Sequence, residues 1–387
     1  MTDIIIAGIG QTEVGEHWDK SLRQLGAEAI RAALADSGGL RPQALFVGNM
    51  FAPILSRQAH LGALSTDFAD LTGIEAVTVE AAGASGAAAL RQGFLAVKSG
   101  LVDAALVLGV EKFTDQVGSG VESALATTLD SDYEAVPGLT PTAQAALLMR
   151  RYQAEYAVPA DGLAGFALTA HAHGAGNPRA MFQKAIKTET YAKAEMVSEP
   201  LNLFDIAPNA DGAAAILLTR RDLLPKNYPH PLIRLAGAGV ASDMLALHDR
   251  RDPLWFEAAH LSAARALEQA GASLDAVDFF EYHDAFSIYA ALTLEACGFA
   301  SRGTGWKLAA EGALGLKGRF PCATMGGLKA RGFPGGASGV YQAVEAALQL
   351  RGQAGKNQME RAQIGMIQSL GGPASTAVTH LLERMEV

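Results

Sequence analysis

Hydrophobic and polar positions along the chain fall into blocks of two periods. Residues 4–6 are a short apolar run that stops at Gly8-Ile9-Gly10, as a buried strand does. Leu22, Leu25, Ile30 and Leu34 then recur at helical spacing and end at Gly38-Gly39, a helix stop. Residues 44–47, 76–79 and 104–110 are further apolar runs of strand length. The second is followed by Gly83-Ala84-Ser85-Gly86 and a helical stretch over about 87–98. Apolar strands alternating with helices predict a mostly parallel sheet covered on both faces. Residues 112–200 break the rhythm: they are polar and helical with few strand candidates. Residues 213–218 return as a strand, so 112–200 reads as an insertion between two strands of one sheet.

From about 231 the order repeats. Residues 232–235 predict a strand, 256–270 a helix ending at Gly271, and 277–281 another strand. Leu34 with Gly38 matches Leu267 with Gly271, and Gly-Ala-Ser-Gly recurs at 336–339. Each copy opens a helix. Together these features predict an internal duplication, with halves 1–225 (insertion included) and 226–387. Two α/β halves packed face to face form an αβαβα sandwich of five layers. The helices after the two Gly-Ala-Ser-Gly turns would form its middle layer, their small residues allowing close backbone approach.

Composition narrows the function. Apolar residues make up 49% and charged residues 18%, enough for large cores and unlike a disordered chain. The net charge of −9, without a basic run, argues against nucleic acid as a partner. Two cysteines exclude a disulfide scaffold and fit no zinc spacing. The N-terminus has no basic segment ahead of an apolar core, and no apolar run approaches the roughly 18 residues of a membrane helix. A soluble, cytoplasmic protein with no membrane role is expected. Gly8-Ile9-Gly10-Gln11-Thr12 lacks the third glycine of a dinucleotide loop, and Asp36 follows a helix, where such a loop needs an acidic residue at a strand end.

Seven segments give the chain a family likeness. They are Val79-Glu80-Ala81-Ala82-Gly83-Ala84-Ser85-Gly86, Gly109-Val110-Glu111-Lys112, Asp211-Gly212-Ala213-Ala214-Ala215, His283-Asp284-Ala285-Phe286, Gly326-Gly327-Leu328-Lys329-Ala330, Gly332-Phe333-Pro334 and Gly371-Gly372. Over essentially its whole length the sequence resembles the thiolase family. The His-Asp-Ala-Phe form looks like the branch holding archaeal and sterol-carrier-protein-X thiolases. The resemblance implies that 112–200 is the loop domain that holds coenzyme A. CoA or acyl-CoA is then the expected ligand, with no covalently bound cofactor and no metal. It also implies a homodimer or dimer of dimers, and branch relatives often work with a small zinc-ribbon/OB-fold partner.

The resemblance also assigns roles, and here the chain departs from its family. The nucleophilic Cys position at the start of the first buried helix is Gly83. The base His of Gly-His-Pro is Phe333, the second Cys position is Ser369, and the Asn after Pro-Val is Ala323. Among the usual side chains only His283 remains. Glycine cannot be acylated and phenylalanine cannot take a proton. The backbone N–H groups of Gly83 and Gly371 still suit an oxyanion hole, and His283 suits an N–H donor to a thioester oxygen. Cys322 beside Gly326-Gly327 is a conceivable replacement thiol, while Cys297 at a helix end and Ser369 read as structural. Tyr282, Tyr289 and Tyr341 are candidate phenol acids or packing residues. His171 and His173, two apart on a helix, point to different faces and do not make a shared metal site. Three functions follow: a CoA-thioester binder without acyl-enzyme chemistry, a retro-aldolase acting on β-hydroxyacyl-CoA, or the acetyl-CoA acyltransferase that family membership suggests.

Overall fold

The computed structural model describes residues 3–116 and 118–385. Its strands are β1 (Ile4–Gln11), β2 (Ala44–Gly48), β3 (Glu75–Val79), β4 (Ala104–Glu111), β5 (Met196–Ser198), β6 (Leu201–Asn202), β7 (Gly212–Arg220), β8 (Ile233–Ser242), β9 (Phe279–Glu281), β10 (Ile364–Gly371) and β11 (Thr376–Arg384). Nine of them hydrogen-bond in the order β3-β2-β4-β7-β1-β8-β11-β10-β9, and β5 and β6 form a separate hairpin.

The pairing pattern is duplicated. In the first half β3, β2 and β4 are parallel, and β4, β7 and β1 are antiparallel. In the second, a parallel bridge from Phe280 to Cys322 stands in for the first pair. Parallel β9–β10 and antiparallel β10–β11–β8 follow. The halves join in the sheet at one antiparallel bridge, Ile5 to Arg234.

Alternation along the strands sorts the side chains into layers. Leu45, Val47, Leu106 and Leu108 pack outward with Leu25 and Ile30 of the helix Leu22–Asp36. Phe46, Val107 and Ile216 face inward, onto Leu90 and Phe94 of the helix Ser85–Ser99 and Val340 and Val344 of the helix Ser338–Arg351. Ile367 and Leu382 reach the same inner core from the second half. Beyond them Met366 and Leu381 pack outward with Ala259 and Ala263 of the helix Glu257–Ala270. The result is the five-layer α/β arrangement read from the sequence, but the sheet is not the mostly parallel one expected: five of its strand pairs are antiparallel and three parallel, because β7 and β11 each run back against their neighbours. The two middle helices each follow a 3₁₀ turn, Ala82–Ala84 and Gly335–Ala337. They touch where a Cβ on Gly86 would stand 2.6 Å from the Gly336 carbonyl, and one on Gly339 2.4 Å from the Ala87 amide.

Two strands run further than their apolar runs indicate. β1 was expected to stop at Gly8-Ile9-Gly10 and continues to Gln11. β8 was expected over 232–235 and continues to Ser242. In both, glycine permits contact with a helix and does not end the strand. A Cβ on Gly8 or Gly10 would meet the carbonyls of Ala33 and Ala29 at 2.1 and 2.3 Å. One on Gly237 or Gly239 would meet those of Ala266 and Ser262 at 2.1 and 2.0 Å. This Gly-x-Gly pair is a further trace of the duplication.

The insertion is mainly helical, with Ser119–Ala126, Pro141–Tyr156, Ala164–Gly174 and Thr188–Ala192, and ends in the β5–β6 hairpin. At the end of β4 the buried Glu111 carboxylate accepts from Asn49 Nδ2 at 2.8 Å and from the amides of Met50 (2.8 Å), Phe51 (3.2 Å) and Gly336 (3.1 Å). It fastens the loop after β2 to the second 3₁₀ turn.

Candidate functional site

Gly83 is the middle residue of the turn Ala82–Ala84, at the start of a middle helix. Amides at a helix start have no intrahelical carbonyl to bind. Ser85 secures the turn: its Oγ donates to the Ala82 carbonyl at 2.6 Å and accepts from the Ala81 amide at 2.9 Å. Ala82 has φ +49°, a left-handed conformation that costs an L-residue on the order of 1 kcal/mol. Ala323 (φ +49°) and Ala374 (φ +60°), the latter next to Pro373 of the cavity wall, are similarly left-handed. Strain of this kind collects where geometry serves function.

A Cβ on Gly83 would lie 3.0 Å from His283 Cε1, 3.3 Å from His283 Nε2 and 2.7 Å from the Leu370 carbonyl. His283 lies just past the C-terminal end of β9, where α/β folds present ligand groups. Neither of its ring nitrogens bonds to any described residue, and Nδ1 is fully buried. Burial, reinforced by the Arg331 charge, pushes the imidazolium pKa down to about 3. At neutral pH His283 is therefore a neutral ring with one N–H to donate. The Phe333 ring meets it edge-to-face, with centroids 5.6 Å apart. Backbone bonds fix Phe333, its amide donating to the Pro208 carbonyl at 2.9 Å and its carbonyl accepting from Ala210 at 3.1 Å.

Gly83, His283 and Phe333 line one cavity of about 90 Å³, together with Leu370, Gly372 and Tyr289. Gly371 stands beside it. A Cβ there would be 2.8 Å from the Ala81 carbonyl, and the residue lines an adjoining cleft with Ala82 and Thr376. Ser369 is not in the cavity wall, and its Oγ donates to Gln342 Oε1 at 2.5 Å. Neither cysteine lines the cavity. Cys322 Sγ contacts the Phe320 carbonyl and Cys297 Sγ contacts Gln368; burial raises both thiols, Cys297 to about 12. Tyr341 bonds to Thr12 at 3.0 Å, and Tyr282 packs against Phe166 and Phe280. His171 stacks on Phe182, while His173 pairs with the Ala323 carbonyl.

The sequence reading gave no role to Gln144 and Asn209, which also line the cavity. Gln144 comes from the insertion helix Pro141–Tyr156. Asn209 is in the loop that bridges in parallel to Phe333. Neither belongs to a chemical motif, so only the folded chain brings them in. Glu122 also borders the cavity and is exposed.

The arrangement offers N–H donors and apolar walls around a small space, with no thiol and no strong base beside Gly83. Comparisons place it among known proteins. A model of the thiolase N-terminal domain matches residues 4–222, and a model of the thiolase C-terminal domain matches 239–384. The chain belongs to the thiolase family. It is 40% identical to an acetyl-CoA acetyltransferase of Methanothermobacter thermautotrophicus, over 99% of this chain and 100% of the relative. It is 30% identical to the benzoylsuccinyl-CoA thiolase subunit BbsB of Thauera aromatica, covering 95% and 94%. A steroid side-chain-cleaving aldolase of Thermomonospora curvata is 28% identical over 88% of each chain. Among solved structures, an Ltp2-ChsH2(DUF35) aldolase superposes with a TM-score of 0.84 over 99% of this chain and 98% of the other. At 24% identity that likeness concerns the thiolase fold alone. No helix among the described residues is long and apolar enough to cross a membrane.

Proposed function

We propose that this thiolase-family protein binds a CoA thioester and holds its carbonyl without forming an acyl-enzyme. One observation carries the reading. The position at the start of the middle helix, 3.3 Å from His283 Nε2 when a Cβ is built there, is glycine. The group facing His283 at 5.6 Å is the Phe333 ring. A thioester oxygen would accept from the His283 N–H and the Gly83 amide, a device that needs no nucleophile. The insertion 112–200 would hold the CoA moiety. The exposed edge strand β3 suits pairing with a second copy, and a small zinc-ribbon/OB-fold protein is the expected further partner. The tests are intact mass after incubation with acetyl-CoA and calorimetry with CoA and acyl-CoA. The expected result is unchanged mass and micromolar binding, roughly −8 kcal/mol. An acetyl adduct on either cysteine overturns the reading.

A second reading is retro-aldol cleavage of a β-hydroxyacyl-CoA. A base takes the hydroxyl proton, the C2–C3 bond breaks to give an aldehyde, and the thioester enolate is protonated at C2. The Tyr289 hydroxyl in the cavity favours it. The base is the weak point. His283, with its conjugate acid near 3, is a poor base, and burial raises Tyr289 so that it stays a phenol. Aldehyde release from 3-hydroxybutyryl-CoA would put this reading first.

A further inference from the structure

Two groups in the cavity wall have hydrogen-bonding capacity that the chain does not use. Tyr289 is 2% exposed, and Phe286 and Phe256 pack against its ring at 5.0 and 5.7 Å. Its hydroxyl bonds to no described residue. Gln144 is 1% exposed, and its Nε2 donates to Glu134 Oε1 at 2.9 Å. The Glu134 carboxylate also accepts from the Leu247 amide at 2.9 Å and the Asp130 amide at 3.1 Å. A carboxylate only accepts, so the NH₂ end of Gln144 must face it and Oε1 is the free end. That Oε1 is buried without a partner. Buried polar atoms in native proteins are nearly always paired, and an orphan that lines a cavity points to a ligand atom.

The orphaned Gln144 oxygen and the Tyr289 hydroxyl make different demands. Gln144 Oε1 only accepts, and Tyr289 Oη, kept protonated by burial, can donate. A methylene satisfies neither, and a ketone oxygen satisfies Tyr289 alone. A hydroxyl satisfies both. Size limits the rest. An apolar cavity of about 150 Å³ takes benzene, roughly 25 Å³ per heavy atom, so a cavity of about 90 Å³ admits only a short acyl group.

We propose that the cavity selects a short acyl thioester with a hydroxyl on its third carbon, which accepts from Tyr289 Oη and donates to Gln144 Oε1. This rests on the CoA-thioester reading above and names its substrate class. It concerns binding, whether or not the C2–C3 bond is then cleaved.

The test is calorimetry of the full-length protein with butyryl-CoA, acetoacetyl-CoA and each enantiomer of 3-hydroxybutyryl-CoA. One hydroxyacyl enantiomer should bind about tenfold more tightly than butyryl-CoA, as two neutral hydrogen bonds allow, with acetoacetyl-CoA between them. Tyr289→Phe removes a hydroxyl that bonds to nothing in the protein, so it should fold normally. It should cut the hydroxyacyl preference at least threefold and leave butyryl-CoA affinity within about twofold. Equal affinity for butyryl and both hydroxybutyryl thioesters overturns the selectivity and leaves the CoA-thioester reading standing. A preference unchanged in Tyr289→Phe overturns the role of Tyr289. Failure of every CoA species to bind overturns the CoA-thioester reading and the selectivity with it.

Discussion

At position 83 a side chain has little room. A cysteine there would bring its Cβ to 2.7 Å from the Leu370 carbonyl, a separation that forces the backbone to move. Gly83→Cys is therefore expected to cost about 1–3 kcal/mol in urea unfolding and to yield little thiolase activity. Phe333 cannot deprotonate a thiol whose ordinary pKa is about 8.5. His283→Ala should weaken thioester binding by about 0.5–1.5 kcal/mol, the worth of one hydrogen bond, and leave free CoA nearly unaffected. Equal loss for both ligands would mean the ring supports the fold alone. His380 in β11 offers a separate test of burial, because both its nitrogens are buried without partners and its pKa is pushed down to about 3. The unfolded chain takes up this proton near pH 6.5 and the folded chain only near 3. Its share of stability is thus present above 6.5 and is lost as pH falls towards 3. His380→Leu should lessen the acid-side fall in thermal stability by up to about 1.4 kcal/mol per pH unit; matching slopes in variant and wild type would contradict the burial. Gly83, His283 and Phe333 were legible in the sequence because each sits in a recognisable motif. Tyr289 was read as either packing residue or phenol acid, and it both packs and lines the cavity. Gln144 and Asn209 were not legible, since a lone amide on a helix or loop has no periodicity or partner until the chain folds.

The sequence pattern located the helices Leu22–Asp36, Ser85–Ser99 and Glu257–Ala270 and most strands of the large sheet, but it read glycine as an ending. The helix Ser85–Ser99 and the strands near 44, 76, 104 and 213 follow from apolar runs that need no knowledge of their neighbours. β1 and β8 outlast their apolar runs because Gly8, Gly10, Gly237 and Gly239 lie under helices, a fact held in the packing partner and not in the local sequence. Gly239→Ala would place a methyl 2.0 Å from the Ser262 carbonyl. It should cost several kcal/mol, about 3 or more, by displacing the helix Glu257–Ala270. Gly15→Ala meets nothing within 4 Å and should stay within about 0.5 kcal/mol. Similar losses in urea unfolding for both variants would refute the packing role. β10 and β11 went unread because no separate run was picked out past 340, and the insertion's β5–β6 hairpin is too short to show a period.

In the whole molecule the walls of the cavity come from both halves and the insertion, so neither half can form it alone. β3 ends the sheet with residues that are exposed or half-buried, Val77 at 43%, beside Leu95 at 40% on the following helix. An open, apolar edge of this kind calls for cover. Light scattering should give a homodimer, and Val77→Lys should shift it towards monomer. A clean 40.3 kDa species at micromolar concentration in the wild type would exclude the dimer. The duplication sets one more quantity. Gly336 occupies in the second turn the place of Gly83 in the first, but its amide already donates to Glu111 at 3.1 Å. An ancestor of two identical halves would have had two vacant turns, and here the second holds the chain's own Glu111 side-chain carboxylate. The protein should therefore titrate with a stoichiometry of one thioester per chain, a single-sited molecule built from a repeated one.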